Sequence, residues 1–383
     1  MKMGKYNCQK CGKEFTLKTL YIKHNSKKNP CIIENNIKDN IINIVNSTPA
    51  NMIVNNLDNV DNIEIINDNK VVKNISNKKI QISKPILKWV GGKTQIIDTL
   101  IGDFPIEINN YREIFLGGGS VLFALLSYVK NGIIKIHGNI YGFDVNEPLI
   151  YTYKNIQTHH NELYDILKNI ISDYNTCGNG DINRKPNNIE EAKIATENYY
   201  YWIRSEYNKL CINGKKSILG SAMFIFLNKT CFRGVFRVGP NGFNVPYGNY
   251  NKPEIINKEY LEEIHNLIQN VIFECCDFSS SLSTVRTNDF VYLDPPYAPE
   301  TETSFVGYTV NGFNTEQHKT LFTLIHGLTE KNIKIVLSNA DVSLIRHNFT
   351  NEKYNISTII CKRSINSKNP EATAKEVIIK NYA

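Results

Sequence analysis

The chain has 383 residues, 42% hydrophobic and 21% charged, with a formal net charge of +7. That balance is ordinary for a soluble protein with a sizeable core, and the length leaves room for one large domain plus something small. It holds no apolar run of about 18 residues, so no membrane span is expected, and the start, Met1 to Cys8, lacks the apolar stretch of a signal peptide. Nine cysteines in so long a chain do not read as a disulfide framework, which points to a reduced, intracellular setting. The positive charge leans weakly toward a polyanionic partner.

Residues 1–31 read as a metal-nucleated module. Two residues lie between Cys8 and Cys11, and twelve residues separate Cys11 from His24. Six more separate His24 from Cys31. Three thiolates and an imidazole suit tetrahedral Zn²⁺, and Tyr6, Phe15 and Leu20 or Tyr21 would supply the small core that the ion needs. The segment resembles a CCHC-type zinc finger. Residues 32–84 are dominated by asparagine and isoleucine and contain no aromatic residue. No helical or strand period persists, so we expect a largely unstructured linker, with a short β segment near Lys78 to Ile82.

From Pro85 the texture changes. Leu87-Lys88-Trp89-Val90-Gly91-Gly92-Lys93-Thr94 ends like a nucleotide-triphosphate loop, but Leu87 stands where that motif needs its first glycine. Next, Arg112-Glu113-Ile114-Phe115-Leu116-Gly117-Gly118-Gly119-Ser120 leads into the apolar run Val121 to Val129. This predicts a strand, a glycine turn and a helix, the opening of a Rossmann-like unit without the dinucleotide fingerprint. A second strand, Asn139 to Asp144, ends in an acid placed to hold a ribose diol or to cap the following helix.

Residues 147–269 are mainly helical in pattern, with Leu163, Ile166, Leu167, Ile170 and Ile171 at helical spacing. The aromatics from Tyr199 to Tyr207 read as bundle core. Lys229, Arg233 and Arg237 are interleaved with Phe232, Val235 and Phe236, and Gly239-Pro240-Asn241-Gly242 signals a turn. A β-hairpin bearing arginines and aromatics is predicted, able to enter a duplex and read guanine edges.

The strand Asp289 to Leu293 runs into Asp294-Pro295-Pro296-Tyr297. A carboxylate, two ring-locked residues and an aromatic face at a sheet edge suit methylation of an amino group conjugated to a flat ring. Asp294 and the Pro295 carbonyl can accept the two amino hydrogens and free the nitrogen lone pair, while Tyr297 stacks on the ring. Proline in both middle positions fixes φ and helps hold the carbonyl.

Taken in order, Lys88-Trp89-x-Gly91-Gly92-Lys93, Glu113-x-Phe115-x-Gly117-x-Gly119-Ser120, Asp144, Leu227 to Phe232, Phe243 to Gly248 and Asp294 to Tyr297 resemble the Dam-type DNA adenine methyltransferases. The resemblance covers about Pro85 to Tyr382. It implies an α/β fold: a Rossmann-like S-adenosylmethionine-dependent sheet with an inserted, mainly helical DNA-recognition subdomain over about 147–269. It implies S-adenosylmethionine contacts from Trp89, Lys93, Phe115, Gly117, Gly119, Ser120, Asp144, Asp277 and Asp294, with Asp277 near the adenine. Catalysis falls to Asp294, Pro295, Pro296 and Tyr297. Contacts to double-stranded DNA fall to Lys229, Phe232, Arg233, Arg237, Asn244 and the basic-loop residue Arg363. The segment from Ala298 to Asn314 resembles a loop that closes near a flipped base, and Glu376 to Tyr382 a last strand. Relatives commonly carry asparagine where this chain has Arg233, which leaves open whether the target is GATC or another short palindrome. An accompanying restriction endonuclease is also left open. Enzymes that methylate glutamine usually begin the tetrapeptide with asparagine, whereas RNA adenine and cytosine N4 remain chemical alternatives, as does a non-catalytic DNA-binding protein.

Overall fold

The computed structural model describes residues 6–7, 14–15, 21–22, 80–299, 313–362 and 373–383. Two compact units divide at Gln81/Ile82. In the first, Tyr6–Asn7 pairs antiparallel with Glu14–Phe15. The zinc-ligand candidates Cys8, Cys11, His24 and Cys31 lie outside the described residues. Of the β segment expected near Lys78 to Ile82, residues 80–82 form no strand and the rest lies outside the described residues.

The second unit contains β1 (Asn110–Glu113), α1 (Ser120–Lys130), β2 (Ile140–Asp144), α2 (Glu147–Asn175), α3 (Thr196–Lys209), α4 (Ile218–Thr230), α5 (Lys258–Leu267), β3 (Val271–Cys275), α6 (Phe278–Ser283), β4 (Asp289–Leu293), α7 (Thr315–Glu330), β5 (Lys334–Ala340), α8 (Ser343–Asn348), β6 (Asn355–Lys362) and β7 (Thr373–Lys380). The main sheet runs β6-β7-β5-β4-β1-β2-β3. Pairings among β5, β4, β1, β2 and β3 are parallel, whereas β7 is antiparallel to both neighbours. The last strand therefore inserts between β5 and β6 and starts at Thr373, three residues before the expected Glu376.

β4 is buried at all five positions, as a central parallel strand covered on both faces must be. On one face Val291, Leu293, Ile335 and Leu337 pack with Leu321, Phe322, Ile325 and Leu328 of α7. On the other, Phe290 and Tyr292 meet Phe104, with ring centroids 4.8 and 5.6 Å away. Tyr199, Tyr200 and Tyr207 are buried, as expected of core aromatics. Among the described residues no helix is long and apolar enough to cross a membrane.

The strand order decides where chemistry can occur. From β1 the chain moves through β2 to β3 in one direction; from β4 it moves to β5 in the other. Parallel strands with helical crossovers leave a crevice beyond their carboxyl ends at such a reversal. The turn after β1 carries Gly117 and Gly119, and the turn after β4 carries Asp294.

Candidate active site

Gly117 and Gly119 adopt φ of 50° and 72°, left-handed conformations that glycine takes without steric cost. The Gly117 N–H donates to Asp144 Oδ2 at 2.9 Å, and Asp144 Oδ1 accepts from the Asn146 N–H at 2.8 Å. Asp144 therefore ties the end of β2 to the glycine turn. It is not the cap of α2; Asn146 is, accepting from the Leu149 N–H. Burial raises the Asp144 pKa, against the lowering pull of these backbone donors. Trp89 lies on the same turn: a Cβ on Gly117 would fall 2.8 Å from Trp89 Cδ1.

Phe115 stacks on Phe278 at 5.9 Å and meets Phe313 edge-on at 5.9 Å, a small aromatic wall beside the end of β1. His318 continues it, 4.7 Å from Phe313, fully buried and with neither ring nitrogen hydrogen-bonded to any described residue. Burial pushes its pKa down to about 4. Asp277 caps α6: it accepts from the Ser279 and Ser280 N–H groups at 2.9 and 3.0 Å and from the Ser280 hydroxyl at 2.7 Å. These donors lower its pKa.

Across the switch point, Lys93 joins the two turns. Its N–H donates to Ser120 Oγ at 3.2 Å, in the first turn of α1. Its ammonium lies 2.7 Å from Asp294 Oδ2, donates to the Gly91 carbonyl at 2.8 Å, and sits 4.9 Å from the Tyr297 ring centroid. Asp294 Oδ1 is buried without a hydrogen-bond partner among the described residues. Burial raises the Asp294 pKa to about 6, despite Lys93, which pulls the other way. A carboxylate with one oxygen held by a cation and the other free is a prepared acceptor.

Three further residues, none of them assigned a role from the sequence, support this turn. The Tyr297 hydroxyl donates to Glu376 of β7 at 2.6 Å. The Ala298 N–H donates to Asn339 Oδ1 at 2.9 Å, and the Asn339 Nδ2 has no partner among the described residues. Glu113, buried at the end of β1, accepts from the Tyr111 hydroxyl at 2.7 Å. Burial lifts its pKa to about 8, with Asp294 adding to the rise against that hydrogen bond. Glu113 was legible as part of the Glu-x-Phe-x-Gly run. Nothing local marks Glu376 or Asn339, which matter only because β7 and β5 bring them under the tetrapeptide.

The predicted hairpin forms, pairing Val238–Gly239 with Gly242–Phe243. One face of α3 grips its outgoing arm: Tyr200 and Arg204 donate to the Val245 carbonyl at 2.8 and 3.0 Å, and Asn208 exchanges hydrogen bonds of 2.9 and 2.8 Å with Phe243. Phe232 is 48% exposed, unusual for so large an apolar side chain. Arg233 takes φ of 56°, a conformation that asparagine tolerates better than arginine; its N–H donates to the Tyr250 hydroxyl at 2.9 Å. Arg237 Nε donates to Asn244 Oδ1 at 2.7 Å, so these two candidate DNA contacts brace each other. Lys229 is half-buried at the end of α4, and burial, reinforced by the Lys88 charge, lowers its pKa to about 8. Arg363 lies outside the described residues.

Comparison with known proteins agrees with this geometry. Residues 89–365 match the D12 class N6 adenine-specific DNA methyltransferases. The chain is 34% identical over 309 residues to the type II methyltransferase M.MjaIII of Methanocaldococcus jannaschii, covering 78% of this chain and 99% of the relative. It is 31% identical over 302 residues to the DNA adenine methylase of Haemophilus influenzae, covering 76% and 91%. With the DNA adenine methylase of Escherichia coli K12 it shares 29% over 287 residues, covering 74% and 90%. With the glycine turn, Lys93 and Asp294 gathered at one switch point and residues 89–365 matching throughout, the chain belongs to the D12 class N6 adenine-specific DNA methyltransferases, a family whose cofactor is S-adenosylmethionine.

Proposed function

We propose that the chain methylates N6 of an adenine flipped out of a short duplex site, and that Asp294 and the Pro295 carbonyl accept hydrogen bonds from its amino group, which sheds one proton once the N–CH3 bond has formed. The observation that carries this assignment is the unpartnered, buried Asp294 Oδ1 beside Lys93, whose own backbone is fastened to the glycine turn. Trp89, Phe115, Gly117, Gly119, Ser120 and Asp144 would hold S-adenosylmethionine, and Asp277 would stand near its adenine. The residues present fit such a group: the left-handed glycines remove side chains from the turn, and Phe115 and Phe278 offer flat apolar faces. When bound, S-adenosylmethionine supplies an electrophilic methyl group.

The chain's own residues supply position. Flipping costs a few kcal/mol of lost stacking and pairing, part of which Tyr297 offsets by stacking on the base. The bond from Tyr297 to Glu376 holds that ring in one orientation. Lys93 keeps Asp294 ionised near neutral pH, so both amino hydrogens meet acceptors. Orientation of this kind can remove about 7–11 kcal/mol from a bimolecular barrier in favourable cases.

Residues 147–269 would form the target-recognition insertion. The exposed Phe232 is suited to wedge into the stack, with Lys229, Arg233, Arg237, Asn244 and Arg363 contacting DNA. Residues 1–31 would form a zinc finger with Cys8, Cys11, His24 and Cys31 as ligands, joined by a linker over 32–84. The antiparallel pair Tyr6–Asn7 and Glu14–Phe15 supports this, because Cys8 and Cys11 fall between its two strands in sequence.

The decisive experiment transfers labelled methyl groups to unmethylated duplex DNA and analyses the nucleosides. N6-methyladenine in DNA is expected. N4-methylcytosine, or labelling of RNA in preference to DNA, would overturn the assignment. Absence of transfer alongside retained DNA binding would favour a non-catalytic role.

A further inference from the structure

Asn228, near the end of α4, is 3% exposed, and none of the roles above uses it. Its Oδ1 accepts the Lys88 N–H at 2.8 Å. Its Nδ2 donates to the Lys88 carbonyl at 2.8 Å and to the Gly234 carbonyl at 3.2 Å. One side-chain amide thus pairs with both backbone groups of Lys88, as a neighbouring strand would, and also holds the turn that leads into the hairpin. That turn comes very close: with φ of 64°, Gly234 could carry a Cβ only at 2.3 Å from Lys88 Cβ. Side chains are excluded there, so glycine allows the two backbones to touch.

Trp89 follows Lys88 and is gripped from two sides. On one side is the glycine turn, where a Cβ on Gly118 would fall 2.9 Å from Trp89 Cβ. On the other is Phe236, stacked at 6.0 Å with an interplanar angle of 18°. Phe236 packs in turn on Phe224 of α4 at 5.7 Å and on Phe243 of the hairpin at 5.9 Å. Packed contact is therefore continuous from the turn after β1 to the hairpin, with no slack at Trp89. Close-packed side chains transmit a displacement instead of absorbing it.

We infer that Asn228 and Phe236 are positioning residues that couple occupancy of the glycine turn to docking of duplex DNA on the hairpin. This rests on the proposed function, since it requires a cofactor at the turn and DNA at the hairpin. A ligand that presses on Gly117 to Gly119 moves Trp89, and Trp89 carries Phe236 and the Lys88–Gly234 contact with it. By linkage the effect is reciprocal: each ligand strengthens the other by the same factor.

The test measures the affinity of the full chain for S-adenosylhomocysteine with and without a saturating duplex that the chain methylates. For the wild type the duplex should tighten binding by about fivefold or more, the lower range of measured couplings. Phe236→Leu removes the flat face and keeps apolar bulk. It should bring that ratio to within about twofold of unity while the DNA-free affinity shifts by less than about threefold, and Phe236→Tyr should restore the ratio. Phe236→Met reads the same quantity should the leucine variant fail to fold. A purely structural role would weaken both ligands without changing the ratio. A wild-type ratio of unity on a duplex that is methylated, or an unchanged ratio in both the leucine and methionine variants, overturns the coupling and leaves the proposed function standing. Failure to methylate any duplex overturns both.

Discussion

Lys93 Nζ lies 2.7 Å from Asp294 Oδ2, and Lys93 is only 4% exposed. Burial alone would keep the Asp294 carboxyl protonated; the ammonium opposes it and the pKa settles at about 6. The proposed mechanism uses the ionised form, so activity should fall as pH drops through about 6. Lys93→Met removes the cation and should move the acid limb of the kcat profile to higher pH. An acid limb left in place would show that Lys93 does not set this ionisation.

Asp294→Ala should lower methyl transfer by at least about 100-fold, the scale for deleting one preorganised polar group. Duplex affinity should stay within about threefold, because the hairpin proposed to contact DNA is braced by α3 and not by Asp294. Gel-shift and transfer assays on one preparation check both, and parallel losses would contradict the role.

Tyr297→Phe keeps the ring but strands the half-buried Glu376 carboxylate, now bonded at 2.6 Å. We expect a loss of about 1–2 kcal/mol of stability with most activity retained. Tyr297→Ala should cost much more activity through lost stacking. Equal kinetic defects in the two variants would place the role in the hydroxyl.

Glu113 titrates near 8 when folded, above its ordinary value of 4.5. Between those values the folded state holds a proton that the unfolded chain has released. Its contribution to stability is therefore complete below about 4.5 and is lost as pH rises through about 8. Glu113→Gln lacks this dependence. The melting temperature of the wild type relative to the variant should decline from pH 5 to 8 and then level off; a constant offset would show Glu113 ionised throughout.

Purified chain should carry zinc equimolar with protein, and Cys8→Ser or Cys31→Ser should lose it. Methyl transfer itself should persist after chelation, because the proposed chemistry uses only residues beyond Pro85. Metal analysis beside a transfer assay decides this, and zinc retained in both variants would refute the ligand set.

Much of the second unit was legible because its signals are local. The apolar, β-rich run that opens at Asp289 predicted a buried strand, and Asp289–Leu293 is one, residue for residue. Glycines beside apolar helix periodicity fixed the turn before α1, and the Gly-Pro-Asn-Gly turn fixed the hairpin. The acid–proline–proline–tyrosine order carried the proposed chemistry, since the groups it calls on are adjacent in the chain. Tertiary structure alone decided what surrounds them. Asp294 has Lys93 as its counter-charge, Tyr297 is anchored by Glu376, and the next residue is held by Asn339, partners 201, 79 and 41 positions away. It also tied Asp144 to the Gly117 N–H, 27 positions away, and placed β7 inside the sheet between β5 and β6. The physical reason is range. Propensity, capping and turn chemistry act within a few residues, whereas ionisation and side-chain orientation depend on burial and on partners that only strand order brings together.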